Sequence, residues 1–171
     1  MNLSLYSGQT KDNIFDEVEN YLQSQSFTII KQDRKRPWGG FFVIDENQAD
    51  LFINTYFPQL EKKYLSIGNK LSPKVLLIAP QKRLSWQYHH RRAEIWKLIS
   101  GTAGVITSNT DIENTPVLLN TKSVVKLKKG ERHRLIGLDE WGVVAEIWQH
   151  TDVNNPSDED DIIRLKDDFG R

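Results

Sequence analysis

The chain has 171 residues, of which 38% are hydrophobic and 27% charged, enough for one soluble domain with a sizeable core. Lysine plus arginine and aspartate plus glutamate balance at 23 each, so no global field favours nucleic acid or an anionic membrane. Cysteine is absent, which excludes disulfides, thiolate nucleophiles and cysteine-based zinc sites and leaves His, Asp, Glu and Gln as metal donors.

The start, MNLSLYSGQTKDN, lacks a basic segment followed by an apolar stretch, and no run approaches transmembrane length. The expected location is cytoplasmic. Asp12 to Gln25 reads as an amphipathic helix, with Ile14, Phe15, Val18, Tyr21 and Leu22 at helical spacing and Thr10 or Asp12 as N-cap. Its narrow apolar stripe predicts packing on the outside of a larger body. A β-rich stretch, Phe27 to Lys31, and the basic connector QDRKRP lead through Trp38-Gly39-Gly40 into a strand at Phe41–Ile44. The stretch 46–72 breaks the β pattern. Asn47 to Tyr56 is expected to form a short helix carrying Leu51, Phe52 and Tyr56, and turn chemistry follows at Gly68-Asn69 and Ser72-Pro73.

From Val75 onward short strands dominate, at the spacing of an all-β sandwich or barrel. The expected strands are Val75–Ala79, Arg83–His90, Ala93–Ser100, Gly104–Thr107, Pro116–Leu119, Ser123–Leu127, His133–Ile136 and Val143–Trp148. The tail NNPSDEDDIIRLKDDFGR is polar and acidic around Ile162, Ile163 and Leu165, and reads as either docked or frayed.

Within SWQYHHRRAEIW, Gln87 and His89 share a strand face because side chains alternate. A two-residue turn at Arg91–Arg92 would set His89 opposite Glu94 on the returning strand. Neither arginine favours the positive φ of such a turn, so the convergence of ligand types is the stronger argument. Gln87, His89, Glu94 and the distant His133 offer an amide oxygen, two imidazoles and a carboxylate to one divalent cation. Strand parity turns His90 and Ile95 the other way.

These residues carry a family likeness. EIWKLISG resembles the first motif of the cupin superfamily, and KGERH resembles the second, with Lys128 where a proline is usual. LSWQYHHRRAEIWKLISGTA, RPWG, HR at 133–134, EIWQ at 146–149 and EDDIIRLKDDFGR are similar to the cupin module of type II phosphomannose isomerases. Arg91 and Ile95 stand where that family has histidines. The likeness covers residues 34–45 and 73–171 and includes no guanylyltransferase domain, which often precedes this module. It implies an all-β cupin fold, a double-stranded β-helix or jelly-roll barrel, with an N-terminal helical extension over 1–33. The cupin domain would span 34–171, with a short helical insertion at about 46–72.

The resemblance implies a metal-dependent aldose–ketose isomerase of sugar phosphates, with mannose 6-phosphate to fructose 6-phosphate the leading case. The cofactor would be a divalent metal, zinc first, with manganese, cobalt or nickel as alternatives. Glu146 is the candidate acid–base group, weighed equally against a buried pair with an arginine. Arg92 and Arg134 match family positions and would bind phosphate or support the enediolate, while Arg83 and Ser85 are further candidates for substrate contact. Glu94 could instead be an ion-pair partner of Arg92 or Arg134, and His150 at a strand end is expected to face solvent. The five tryptophans read as core or rim packing rather than a sugar platform. The expected partner is a phosphorylated sugar, without nucleic acid or membrane, and a homodimer is left open. The alternatives are a sugar-phosphate epimerase-like cupin using a histidine-centred base, and a non-catalytic cupin that binds sugar or metal.

Overall fold

The protein is described by a computed structural model that covers residues 3, 5–65 and 70–170. The expected turn at Gly68-Asn69 therefore lies outside the described residues. Helix α1 spans Lys11–Ser24, and Thr10 caps it by accepting from the Asn13 N–H at 3.3 Å. At its other end the Ser26 and Phe27 N–H groups donate to Gln23 and Leu22 at 2.9 and 3.1 Å, a Schellman arrangement holding Ser26 at φ 67°. Ile14, Phe15, Val18 and Leu22 are wholly buried, so the narrow stripe is a core face.

Nine strands follow among the described residues: β1 Ile29–Asp33, β2 Gly39–Ile44, β3 Lys74–Ile78, β4 Trp86–Tyr88, β5 Arg92–Ser108, β6 Val117–Leu118, β7 Val125–Leu127, β8 Arg132–His150 and β9 Ile163–Lys166. They form one curled antiparallel sheet in the order β1-β2-β3-β8-β4-β9, with β5 joining β8, β7 and β6. A 3-10 turn at Glu46–Gln48 and helix α2, Ala49–Tyr56, separate β2 from β3. Glu46 holds the returning chain by accepting the Leu71 and Ser72 N–H groups at 2.6 and 2.8 Å.

The sheet has two covered faces, set by strand parity. Phe42, Ile44, Val75, Leu77, Ile95, Val143, Ala145 and Ile147 pack against α1 and α2 in the outer core. Phe41, Leu76, Ile78, Trp96, Leu98 and Val144 form the inner core. In α2 the buried residues are Ala49, Phe52, Ile53 and Tyr56, whereas Leu51 is 38% exposed. Leu51 is thus not part of the stripe expected for this helix, and Ile53 takes its place.

Two long strands replace four expected ones. Ala93–Ser100 and Gly104–Thr107 merge into β5, and His133–Ile136 and Val143–Trp148 merge into β8. Their ladder continues through register shifts at Leu98/Ser100 and Gly101/Ala103, so the apparent breaks are corners of a bent strand pair. Conversely the expected strand Arg83–His90 contracts to β4, with Arg83 contributing an isolated bridge to Ile136.

The proposed Arg91–Arg92 hairpin is not formed. β4 pairs with β8 and β9, β5 pairs with β6, β7 and β8, and Arg92 is the first residue of β5. The Asp161 carboxylate instead accepts the His90 and Arg91 N–H groups, both at 2.9 Å. This clamp and the β4–β9 pairing dock the C-terminal tail, which excludes the frayed alternative. No helix among the described residues is long and apolar enough to cross a membrane.

Gly101 has φ 71°, and a Cβ there would stand 1.8 Å from the Trp141 carbonyl oxygen. Gly130 has φ 77° but open space around it. Gly130→Ala should therefore cost about 1–2 kcal/mol from backbone conformation alone. Gly101→Ala should cost about 3 kcal/mol or more, because the backbone at the corner must also move. Urea unfolding of the two variants against the wild type checks this ordering.

Candidate metal centre and cavity

Glu94 and Gln87 line a cavity of about 400 Å³ bounded by β2, β3, β4, β5, β8 and the C-terminal segment. Gln87 lies opposite His133 in the β4–β8 register, so both side chains enter the same face. Glu94 enters from β5, and His89 leaves β4 just beyond its last residue. His89 Nε2 lies 3.1 Å from Glu94 Oε1, and His133 Nε2 lies 3.3 Å from Glu94 Oε2. One ligand atom from each of these three residues falls within 4.8 Å of the others, and all three are buried. The hairpin reasoning thus predicted a true proximity by a route the chain does not take.

The hydrogen bonds fix how the imidazoles present themselves. His89 Nδ1 donates to the Asp161 carbonyl at 2.6 Å, and His133 Nδ1 donates to the Glu131 carbonyl at 2.9 Å. Each ring then turns Nε2 toward Glu94, a tautomer in which that nitrogen can ligate a metal. Glu94 Oε2 and His133 Nε2 are buried and have no hydrogen-bond partner among the described residues. Two facing acceptors with no donor from the described residues between them form a place that could hold a cation. Burial pushes the Glu94 carboxyl up, but His89, Arg92 and His133 outweigh it and hold it well below the ordinary carboxylate range. Burial, opposed by Glu94 and aided by Arg92 and His133, pushes the His89 imidazole down, toward the neutral form that a metal ligand needs. Two imidazole nitrogens and a carboxylate fit a divalent metal, and Gln87, opposite His133 in the register, lines the same cavity as Glu94. Ser85 Oγ donates to Gln87 Oε1 at 2.5 Å and so orients the amide.

Arg92 is built into this centre. Its Nε donates to Glu94 at 2.8 Å, its Nη2 to His89 Nε2 at 3.2 Å, and its Nη1 to Ser157 Oγ at 2.8 Å and the Asp158 carbonyl at 2.9 Å. The guanidinium also stacks 3.8 Å from the Trp148 ring centroid. Glu94 is thus the ion-pair partner of Arg92, and it is also one of three residues that could hold a metal.

Glu146 lines the same cavity and accepts from Trp96 Nε1 at 3.0 Å. Burial, then the negative charge of Glu94, pushes its carboxyl up to about 7, against the pull of Lys74, Arg92 and the Trp96 N–H. Trp38, Trp96 and Trp148 line the cavity as well as packing, while Trp86 and Trp141 are core residues.

Two arginines expected near substrate lie elsewhere. Arg134 follows His133 and so faces outward, where Nε donates to the Leu84 carbonyl and Nη1 to Glu113 at 3.1 Å. Arg83 is held by Asp168 at 2.7 and 2.8 Å and does not line the cavity. His150, expected at the surface, is 1% exposed: its Nδ1 accepts the Ser157 N–H at 3.0 Å and its Nε2 lies 3.1 Å from Ser72 Oγ.

The site also contains residues that sequence reasoning passed over. Lys74 opens β3 with the inward parity of Leu76 and Ile78, a signal that was available in KVLLI. Asp161, which bonds His89, His90 and Arg91, had no comparable signal, because nothing local distinguishes one acid among SDEDD.

Sequence comparison decides the family. The family model described as mannose-6-phosphate isomerase C-terminal matches residues 48–167, most of the chain. The protein belongs to this family. The match begins within the 46–72 stretch that was read as an insertion. Relatives within reach of this isomerase-family chain include the mannose-1-phosphate guanylyltransferase ManC of Salmonella typhimurium, 32% identical over 95% of this chain and 30% of its own length. The alginate biosynthesis protein AlgA of Pseudomonas aeruginosa is 30% identical over 87% of this chain and 25% of its own. The chain thus spans roughly a quarter to a third of the curated relatives it matches. Among solved structures, the capsular polysaccharide assembling protein CapF of Staphylococcus aureus superposes with a TM-score of 0.55 at 16% identity, covering 91% of this chain and 37% of that one. The oxalate decarboxylase of Lactobacillus farciminis gives 0.52 at 17% identity, covering 79% and 33%. At these identities the likeness is one of fold, the cupin barrel.

Glu94→Gln removes the anionic ligand while keeping its shape. Metal titration of the variant should show at least a ~100-fold loss of affinity. Its stability should fall by about 3–5 kcal/mol as well, because Arg92 loses its buried partner. His133→Gln should lose metal affinity with a smaller loss of stability.

His150 carries a separate pH signature. Burial, helped by Lys70, Arg92 and Arg91, pushes its imidazole down to about 4 from the ordinary 6.5. Above pH 6.5 both folded and unfolded forms are neutral there and contribute no pH dependence. Between about 6.5 and 4 only the unfolded chain takes the proton, so stability falls on acidification, by up to about 3 kcal/mol. Urea midpoints at pH 7 and 4.5 should differ less in His150→Gln than in the wild type.

Proposed function

We propose that the protein is a metal-dependent aldose–ketose isomerase of sugar phosphates, with mannose 6-phosphate and fructose 6-phosphate the leading pair. The observation that carries this reading is a buried His89–Glu94–His133 centre whose Glu94 lines the same cavity as Glu146. Family membership supports it, and so do relatives whose names refer to mannose 1-phosphate. His89, Glu94, His133 and Gln87 would hold the metal, zinc first among the candidates. When bound, the metal would act as a Lewis acid toward the carbonyl and hydroxyl oxygens of the sugar.

The isomerisation moves a proton between C2 and C1 through an enediol. Glu146, with its carboxyl near 7, is populated in both forms at neutral pH, as a group that both takes and returns a proton must be. A cation at Glu94 would offset the part of that upward push due to the Glu94 charge and leave the part due to burial. Trp96 Nε1 holds one carboxyl oxygen in place at 3.0 Å, which orients the proton-transferring edge. Arg92 supports the centre by fixing Glu94 and His89, and it contributes positive charge toward the cavity. The same reading takes the protein as cytoplasmic, with a phosphorylated sugar as its partner and neither nucleic acid nor membrane, in keeping with its balanced charge. It leaves a homodimer open.

With metal supplied, the wild type should interconvert the two hexose phosphates and exchange the C2 hydrogen with solvent, and chelation should abolish both. Glu146→Gln should lower kcat by roughly 10²–10⁴ while metal affinity stays close to wild type. Metal-independent turnover would sink this reading in favour of an epimerase-like cupin with a histidine-centred base. Tight sugar-phosphate binding without turnover would favour the non-catalytic one.

A further inference from the structure

A phosphorylated substrate brings a dianion, and the cavity must meet it with fixed positive charge. Arg83 and Arg134 do not line the cavity and are paired with Asp168 and Glu113. Arg92 does line it, but its Nε, Nη1 and Nη2 all donate to groups of the metal centre or the C-terminal segment. Withdrawing it would leave Glu94 buried without a counter-ion, at a cost of several kcal/mol. Arg36 and Arg164 also line the cavity, but Arg36 has its Nε 2.8 Å from Asp33 and Arg164 stands on the exposed strand β9.

Lys74 differs from all of these. It is 5% exposed and enters the cavity from β3. Its Nζ lies 3.9 Å from the Trp148 ring centroid and 5.4 Å from that of Phe41, so aromatic faces hold the ammonium in position. It donates to Glu159 Oε1, and the Glu159 side chain is 56% exposed on the segment between β8 and β9. Glu159 is the water-facing half of the pair, so it can turn into solvent when another anion takes its place at the buried ammonium. A lysine ammonium carries three donors, and a phosphate offers more oxygens and more charge than the single carboxylate.

We infer that Lys74 is the residue that receives the anionic group of the substrate, and that Glu159 is a built-in competitor which that group displaces. The pair then acts as a selectivity device. A dianion exchanges with Glu159 at Lys74, whereas a neutral sugar has nothing to offer the ammonium and leaves the ion pair closed. This rests on the sugar-phosphate reading for the identity of the substrate, but not for the existence of the anion site.

Calorimetry tests it on the full chain with three probes: inorganic phosphate, mannose 6-phosphate and mannose. Lys74→Met should weaken both phosphate probes roughly ten- to hundred-fold and leave mannose unchanged. Glu159→Gln should tighten both phosphate probes by about two- to five-fold. The double variant should match Lys74→Met, because the competitor matters only when the ammonium is present. Near-UV circular dichroism checks that Lys74→Met is folded. If it is not, Lys74→Arg, which keeps the charge, and Glu159→Gln carry the test, with phosphate preference retained in the first and increased in the second. Equal losses for mannose and mannose 6-phosphate would overturn the inference, as would a Glu159→Gln variant that binds phosphate no more tightly than the wild type. If phosphate binding follows the expected pattern without isomerisation, the anion site stands and the isomerase reading falls. If isomerisation proceeds and Lys74→Met binds both phosphate probes normally, the reverse holds.

Discussion

A carboxylate buried on the inner face of the curled sheet dominates the organisation of this protein. Glu94 is 2% exposed, and an uncompensated charge at that depth would cost several kcal/mol. Arg92, two residues earlier on the same face of β5, supplies the nearest compensation, and His89 and His133 converge on the two carboxyl oxygens. Through Arg92 the demand spreads further. Its Nη1 reaches Ser157 and Asp158, so the charge at the centre also holds down the C-terminal segment. Asp161 closes the loop by bonding His89 with its carbonyl and the His90 and Arg91 backbone with its carboxylate. The geometry of the His89–Glu94–His133 cluster and the docking of the tail are one network rather than two features.

Strand parity lets the same strands serve stability and chemistry at once. On β5, Glu94 and Trp96 turn inward while Ile95 enters the outer core with α1 and α2. On β3, Lys74 and Leu76 line the cavity while Val75 and Leu77 face the helices. On β8, Glu146 and Trp148 line the cavity between Ala145 and Ile147 of the outer core. The helices are therefore a cover that lets the inner face carry charge, because the outer face supplies the apolar burial. Such an arrangement tolerates buried ionisable groups on the cavity side, and Glu94, Glu146, Lys74 and Arg92 all lie there.

The family and the fold were legible early because they rest on local patterns: turn residues, short β-rich runs and the EIWKLISG and KGERH motifs. Gln87 and His89 were singled out by period-two alternation, which follows from strand geometry alone, Glu94 by a hairpin that does not form, and His133 by the KGERH motif. Long-range choices were not. Arg134 beside His133 was predictable in direction, and it indeed faces away, but nothing in RHRL indicated that Glu113 and Asp168 would cover it. His150 looked like a strand end near a polar tail. It is buried because that tail folds back and sets Ser157 against its ring.

What the sequence by itself determined is therefore which side of a strand a residue occupies within each short run, since between corners that depends only on its parity along the chain. What the tertiary structure decided is which strand meets which. Glu94 was matched to His89 through a two-residue turn, yet β4 and β5 do not pair, and Leu127 and Trp148 are the register partners of Glu94. A strand edge can satisfy its N–H and C=O groups with any other strand. The selection among them comes from corners such as Gly101 and from the packing of both sheet faces, which no local stretch contains.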